Sequence, residues 1–106
     1  MAQYLYRITP TRLAMLTEGL NGGERAAYEQ HAAFLERLTV EGTIILVGRT
    51  QNRDPSTFGI CIFNAASDEA ARAVMAADPF VSEGVMHAEL FPYRIAHFAP
   101  ENVREE

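Results

Sequence analysis

The first hydrophobic run, Tyr4-Leu5-Tyr6-Arg7-Ile8-Thr9, is aromatic and β-branched and stops at Pro10. It predicts a strand, with Tyr4, Tyr6 and Ile8 on one face and Leu5 and Arg7 on the other. Farther on the period changes. From Glu24 to Glu41, Ala27, His31, Phe34, Leu35 and Leu38 recur at helical spacing. They form one apolar stripe, from which Glu24, Arg25, Glu29, Glu36 and Arg37 are largely excluded. Gly42 supplies the C-terminal stop. Between the two elements, Thr11 to Leu16 suits a short helical turn, and Asn21-Gly22-Gly23 breaks the chain. A connection this long is expected to edge a pocket.

Thr43 to Gly48 predicts a second strand, apolar on both faces. Arg49 to Thr57 is turn chemistry, and Phe58 to Phe63 predicts a third strand that completes a hairpin. Ser67 then caps a second helix to about Ala77, with Ala70, Val74 and Ala77 facing the sheet. Asp78-Pro79 opens a short helical turn that ends at Gly84. Val85 to Phe91 predicts a fourth strand, which Pro92 should end or kink. Tyr93 to Phe98 suits a further short strand. Residues 1–98 are read as one domain and 99–106 as a polar tail.

The order β-α-β-β-α-β is that of an α+β, ferredoxin-like plait with a four-stranded antiparallel sheet. Two helices cover one sheet face. The other still carries apolar residues, which predicts a homodimer packed through that open face.

Charge and composition narrow the classes. With a net charge of −5 and no basic run among aromatics, the chain is a poor match for nucleic acid or an anionic membrane. No apolar run reaches the roughly 20 residues of a membrane span, and Met1 to Arg7 lacks a leader pattern, so a cytoplasmic location is expected. The single cysteine, Cys61, can form neither an internal disulfide nor a CxxC site and reads as a small strand hydrophobe.

Few residues offer chemistry. His31 on the helix stripe is either a satisfied core histidine or a general acid–base. Asp78 is either a helix cap or the orienting partner of an imidazole, and one carboxylate can do both. Arg7 and Arg49 are candidate clamps for a substrate carboxylate. Phe34, Phe80 and Phe91 are candidate apolar wall. His87 and His97 have no partner at a recognisable spacing, and no metal or nucleotide cofactor is expected, since HxH, HExxH, Walker and GxGxxG patterns are all missing.

Together these segments resemble the YCII-related (YciI-like) family. The resemblance rests on His31-Ala32-Ala33-Phe34-Leu35, Glu41 to Gly48, Gly59, Ser67 to Ala71, Asp78-Pro79-Phe80, Gly84 and Phe91-Pro92-Tyr93. It implies a dimeric α/β plait in which a helix histidine and the aspartate of the Asp-Pro pair work together, here His31 and Asp78. It also implies kinship with dehydrochlorinase-like and muconolactone isomerase-like proteins. The chain departs from the family pattern at Arg49, where many members carry proline, and in an expanded Thr11–Gly23 segment.

The expected function is therefore a lyase or isomerase without cofactor, acting on a small cyclic or aromatic-derived compound, carboxylated where an arginine clamps it. The alternative is a non-catalytic protein that binds a small ligand in the same pocket.

Overall fold

The computed structural model describes residues 1–105. Its elements are β1 (Ala2–Pro10), α1 (Met15–Glu18), α2 (Gly22–Val40), β2 (Ile44–Arg49), β3 (Gly59–Ala65), α3 (Asp68–Ala77), α4 (Pro79–Ser82) and β4 (Met86–Tyr93), followed by a 3-10 turn at Pro100–Asn102. The four strands form one sheet in the order β2-β3-β1-β4. Every pairing is antiparallel. The fold is the expected ferredoxin-like plait.

Strand register carries the alternation into the core. Tyr4 lies opposite Phe63, and Tyr6 opposite Cys61. Tyr4, Tyr6, Cys61 and Phe63 share the helix-covered face and pack with Phe34, Leu38, Ile44 and Ala71. The Tyr6 and Phe63 rings meet edge to face at 5.7 Å, the arrangement that aromatic quadrupoles favour. Leu5, Arg7, Phe91 and Glu89 fall on the open face, by their pairings Leu5↔Phe91 and Arg7↔Glu89.

Several boundaries differ from the sequence expectation. Asn21-Gly22-Gly23 does not merely break the chain. Asn21 caps α2 by accepting the Glu24 N–H at 2.8 Å, while its own N–H donates to Glu24 Oε1 at 2.9 Å. This reciprocal pair is a capping box, so α2 starts at Gly22, two residues before the expected Glu24. Glu24 is therefore buried, not solvated. Its carboxylate takes two hydrogen bonds from Arg12, at 2.7 and 2.6 Å, and Arg12 also donates to the Gly19 carbonyl. Through this clasp the 11–21 segment is pinned to the first turn of α2. On α3 the fully buried residue is Ala71, whereas Ala77 is exposed.

Pro92 neither ends nor breaks β4. The strand lies at the sheet edge, where proline's missing N–H costs no ladder bond on the outer side, and pairing continues to Tyr93. The further strand expected at Tyr93 to Phe98 does not form: the chain leaves the sheet after Tyr93.

Candidate active site

Asp78 stands where α3 hands over to α4. A residue before proline is driven out of the helical region, and Asp78 accordingly has extended backbone at φ −64°, ψ 122°. α3 ends there, and Pro79 begins α4 with its preset φ. The Asp78 side chain turns back and accepts the Phe80 N–H at 2.9 Å on Oδ1. The same oxygen lies 2.7 Å from His31 Nδ1, and Oδ2 accepts the Tyr6 hydroxyl at 2.6 Å. Asp78 is fully buried.

These contacts set the tautomer of the neutral histidine. A carboxylate has only acceptors to offer. The His31 Nδ1 facing it therefore carries the proton, and Nε2 of the neutral ring keeps its lone pair. Tyr6 reinforces the arrangement. Burial first, then the neighbouring Cys61 and Asp78, push its phenol far above the ordinary tyrosine range, so it remains a donor at any working pH. Phe80 fixes the ring plane, stacking on His31 with centroids 4.1 Å apart and planes 19° apart. Tyr28 flanks the pair, 5.9 Å from Phe80 and 6.4 Å from His31.

His31 opens onto a cavity of about 860 Å³, within the size range of small-ligand sites. Its lining comes from the helix-covered face of β1 and β3, from α2, from the 11–20 segment and from the loop over residues 50–58. The long connection after β1 thus does edge the pocket. Gly59 contributes by lacking a side chain, because a Cβ there would lie 3.3 Å from Ile8 Cγ1 and 3.5 Å from the Gly48 carbonyl oxygen.

The sequence candidates divide. His31, Phe80 and Arg49 line this cavity, and Asp78 lies directly behind His31. Phe34 does not reach it, being buried in the core one turn along α2. Arg7 and Phe91 project from the opposite face of the sheet, where the Arg7 guanidinium lies 5.1 Å from the centre of the Phe58 ring. His87 pairs with Thr9 on that same outer face. Among the described residues, no three His, Cys, Asp or Glu side chains gather as a metal site. Sequence reasoning missed Tyr6 as a member of the site, and it missed Arg53, which also lines the cavity. The signal for Tyr6 was its position mid-strand on the more apolar face, with Tyr4 and Ile8, since a buried phenol needs a partner.

A profile of the YCII-related domain matches residues 9–94. The chain belongs to the YCII-related family. The solved structures that share the fold of this YCII-related protein include two small-molecule enzymes. One is 5-chloro-2-hydroxyhydroquinone dehydrochlorinase from Burkholderia phenoliruptrix in complex with 2,5-dihydroxybenzoquinone, 20% identical, covering 87% of this chain and 93% of that one, with a TM-score of 0.63. The other is muconolactone isomerase, 14% identical, covering 98% and 97%, with a TM-score of 0.64. At these identities the likeness establishes the YCII-related protein's plait and not its reaction. No curated protein sequence matches the chain. No helix among the described residues is long and apolar enough to cross a membrane.

Proposed function

We propose that this protein is a lyase or isomerase that moves a proton on a small cyclic or aromatic-derived compound, with His31 as general base and acid. The observation that carries the reading is the convergence of three donors on Asp78. Tyr6, the Phe80 N–H and His31 all give to one buried carboxylate. The imidazole is therefore held in one tautomer with Nε2 free for chemistry.

In the forward step His31 Nε2 takes a proton from an acidic C–H or O–H of the ligand. The ring becomes imidazolium, and the Asp78 carboxylate 2.7 Å away stabilises that charge. For a lyase, the electron pair left behind forms a new π bond as the leaving group departs with its own bonding pair. For an isomerase, His31 returns the proton to a different carbon. Apolar groups of Ile8, Leu35 and Phe80 hold the ring of the ligand. Asp78 is a positioning residue, because His31 stands between it and the cavity.

The substrates of the two structural neighbours supply the first compounds to test, a chlorinated hydroxyhydroquinone and muconolactone. Turnover is followed by quinone absorbance or by proton exchange in NMR. Loss of about 10²–10⁴-fold in turnover is expected for His31→Gln with the fold retained. Unchanged turnover in that variant would remove His31 from the mechanism.

We also propose that the protein is a homodimer formed through the open sheet face. Leu46, Phe91 and Tyr93 are all more than a third exposed there. The accessible surface of 7167 Å² exceeds the about 5,900 Å² typical of a compact monomer of this mass. Light scattering at micromolar concentration checks this, and a monomeric mass counts against it.

A further inference from the structure

The chemistry assigned so far uses one histidine, but the cavity also carries charge that this mechanism leaves idle. Arg49 is the last residue of β2 and lies opposite Gly59. Alternation places it on the same side as Val47 and Cys61, toward the cavity. Arg53 follows on the hairpin loop. Both line the cavity, and among the described residues no aspartate or glutamate does. That imbalance runs against the chain as a whole, which has 14 acidic residues to 9 lysines and arginines.

Neither guanidinium makes an ion pair among the described residues, where the ion pairs are made by Arg12, Arg37 and His31. The loop has an acid of its own, Asp54, which its neighbours occupy. Asp54 accepts the Asn52 amide at 3.0 Å, the Ser56 N–H at 2.8 Å and the Ser56 hydroxyl. Those bonds, Ser56 first, hold its carboxyl below the usual carboxylate range. The neck of the loop is tied as well, by Thr50 N–H to the Phe58 carbonyl at 2.9 Å and by the Thr50 and Thr57 hydroxyls 3.1 Å apart. The loop thus satisfies its own polar groups and leaves both guanidinium groups unpartnered at the cavity.

We infer that Arg49 and Arg53 form a cationic pole that takes the acid group of an organic anion, so that the ligand of this cavity is a small ring-bearing carboxylate. A guanidinium presents its N–H donors as a planar fork that fits a carboxylate two bonds at a time. A cavity lined by one sign of charge also concentrates the opposite ion. The inference deepens the acid–base reading and rests on it for the ring and for the reacting end. It adds that Arg53 selects which substrates enter.

The test is binding, read without turnover, so the anion pole and the acid–base reading can fail separately. Benzoate and phthalate are titrated into the whole protein by calorimetry, against benzamide and phthalamide of matching shape. The acids are expected to bind roughly 10- to 100-fold tighter than the amides, as for charge-assisted hydrogen bonds, and the advantage should shrink with added salt. Arg53→Gln and Arg49→Gln should each remove most of that advantage, and Arg53→Lys part of it. Arg37→Gln, on the outer side of α2, should leave it intact. Circular dichroism confirms the fold of each variant. Equal binding of acids and amides would overturn the inference. So would affinities for the acids that survive both glutamine variants, or no saturable binding of either acid up to about 10 mM.

Discussion

The Tyr6 hydroxyl lies 2.6 Å from Asp78 Oδ2, on the carboxylate whose other oxygen meets His31. Tyr6 and His31 thus sit on opposite sides of a single buried group, one from the first strand and one from the first long helix. Tyr6→Phe keeps the ring packing and removes only the donor. Asp78 would then retain two partners, and its Oδ2 would be buried without one. A loss of about 1–3 kcal/mol is expected, measured by urea denaturation with an unchanged m-value. A variant as stable as the parent would show that Tyr6 does not help hold the carboxylate.

Asp78→Ala removes the acceptor of three donors at once. It also removes the cap of α4. The combined cost should exceed that of Tyr6→Phe, at roughly 3–5 kcal/mol. Asp78→Asn should cost less, because the amide oxygen still accepts the Phe80 N–H. In ¹⁵N NMR, the neutral His31 ring of the parent should show a protonated Nδ1 and a bare Nε2. A mixture of tautomers in the parent would contradict the geometry.

The clasp between Arg12 and Glu24 predicts an acid sensitivity. Arg12 first, and then the Asn21 N–H, lower the Glu24 carboxyl from 4.5 to about 2. A carboxyl whose folded value is depressed stabilises the fold above its unfolded value. That contribution should be complete above pH 4.5 and lost as the pH falls toward 2. Glu24→Gln should therefore lower the thermal midpoint at neutral pH and flatten the acid limb of the curve. Parallel curves for the two proteins between pH 5 and 2 would refute the assignment.

Cys61 should be silent toward thiol reagents while the protein is folded. Burial pushes its thiol up to about 12, which leaves almost no thiolate at pH 8. Labelling with a chromogenic disulfide should proceed only in denaturant. Rapid labelling of the native protein would show that reagent reaches Cys61, through the cavity it borders or by opening of the core between β1 and β3.

Much of this was legible in the sequence, and the failures have identifiable causes. Strand and helix periods differ enough that Tyr4, Tyr6 and Ile8 were placed on one face and the α2 stripe was recognised. The stripe, however, reports only that a residue turns inward. It could not separate His31, which overhangs the cavity, from Phe34, which enters the core one turn later. Phe91 was misplaced for a related reason. Alternation divides a strand into two faces without saying which one the helices cover. Periodicity leaves Glu24 outside the apolar stripe and so misses its burial, although Asn21 three residues earlier carries the signature of a capping box. Arg53 had no local pattern at all, and only the folded hairpin brings it to the cavity.

Asp78 is bound by two requirements of different kinds, ending one helix and starting another while steering the ring of His31. His31 answers to fewer demands, since it meets that carboxylate and stacks on Phe80 but ends no element. A change at Asp78 therefore disturbs the joint and the ring together, whereas a change at His31 leaves α4 capped and isolates what the ring contributes.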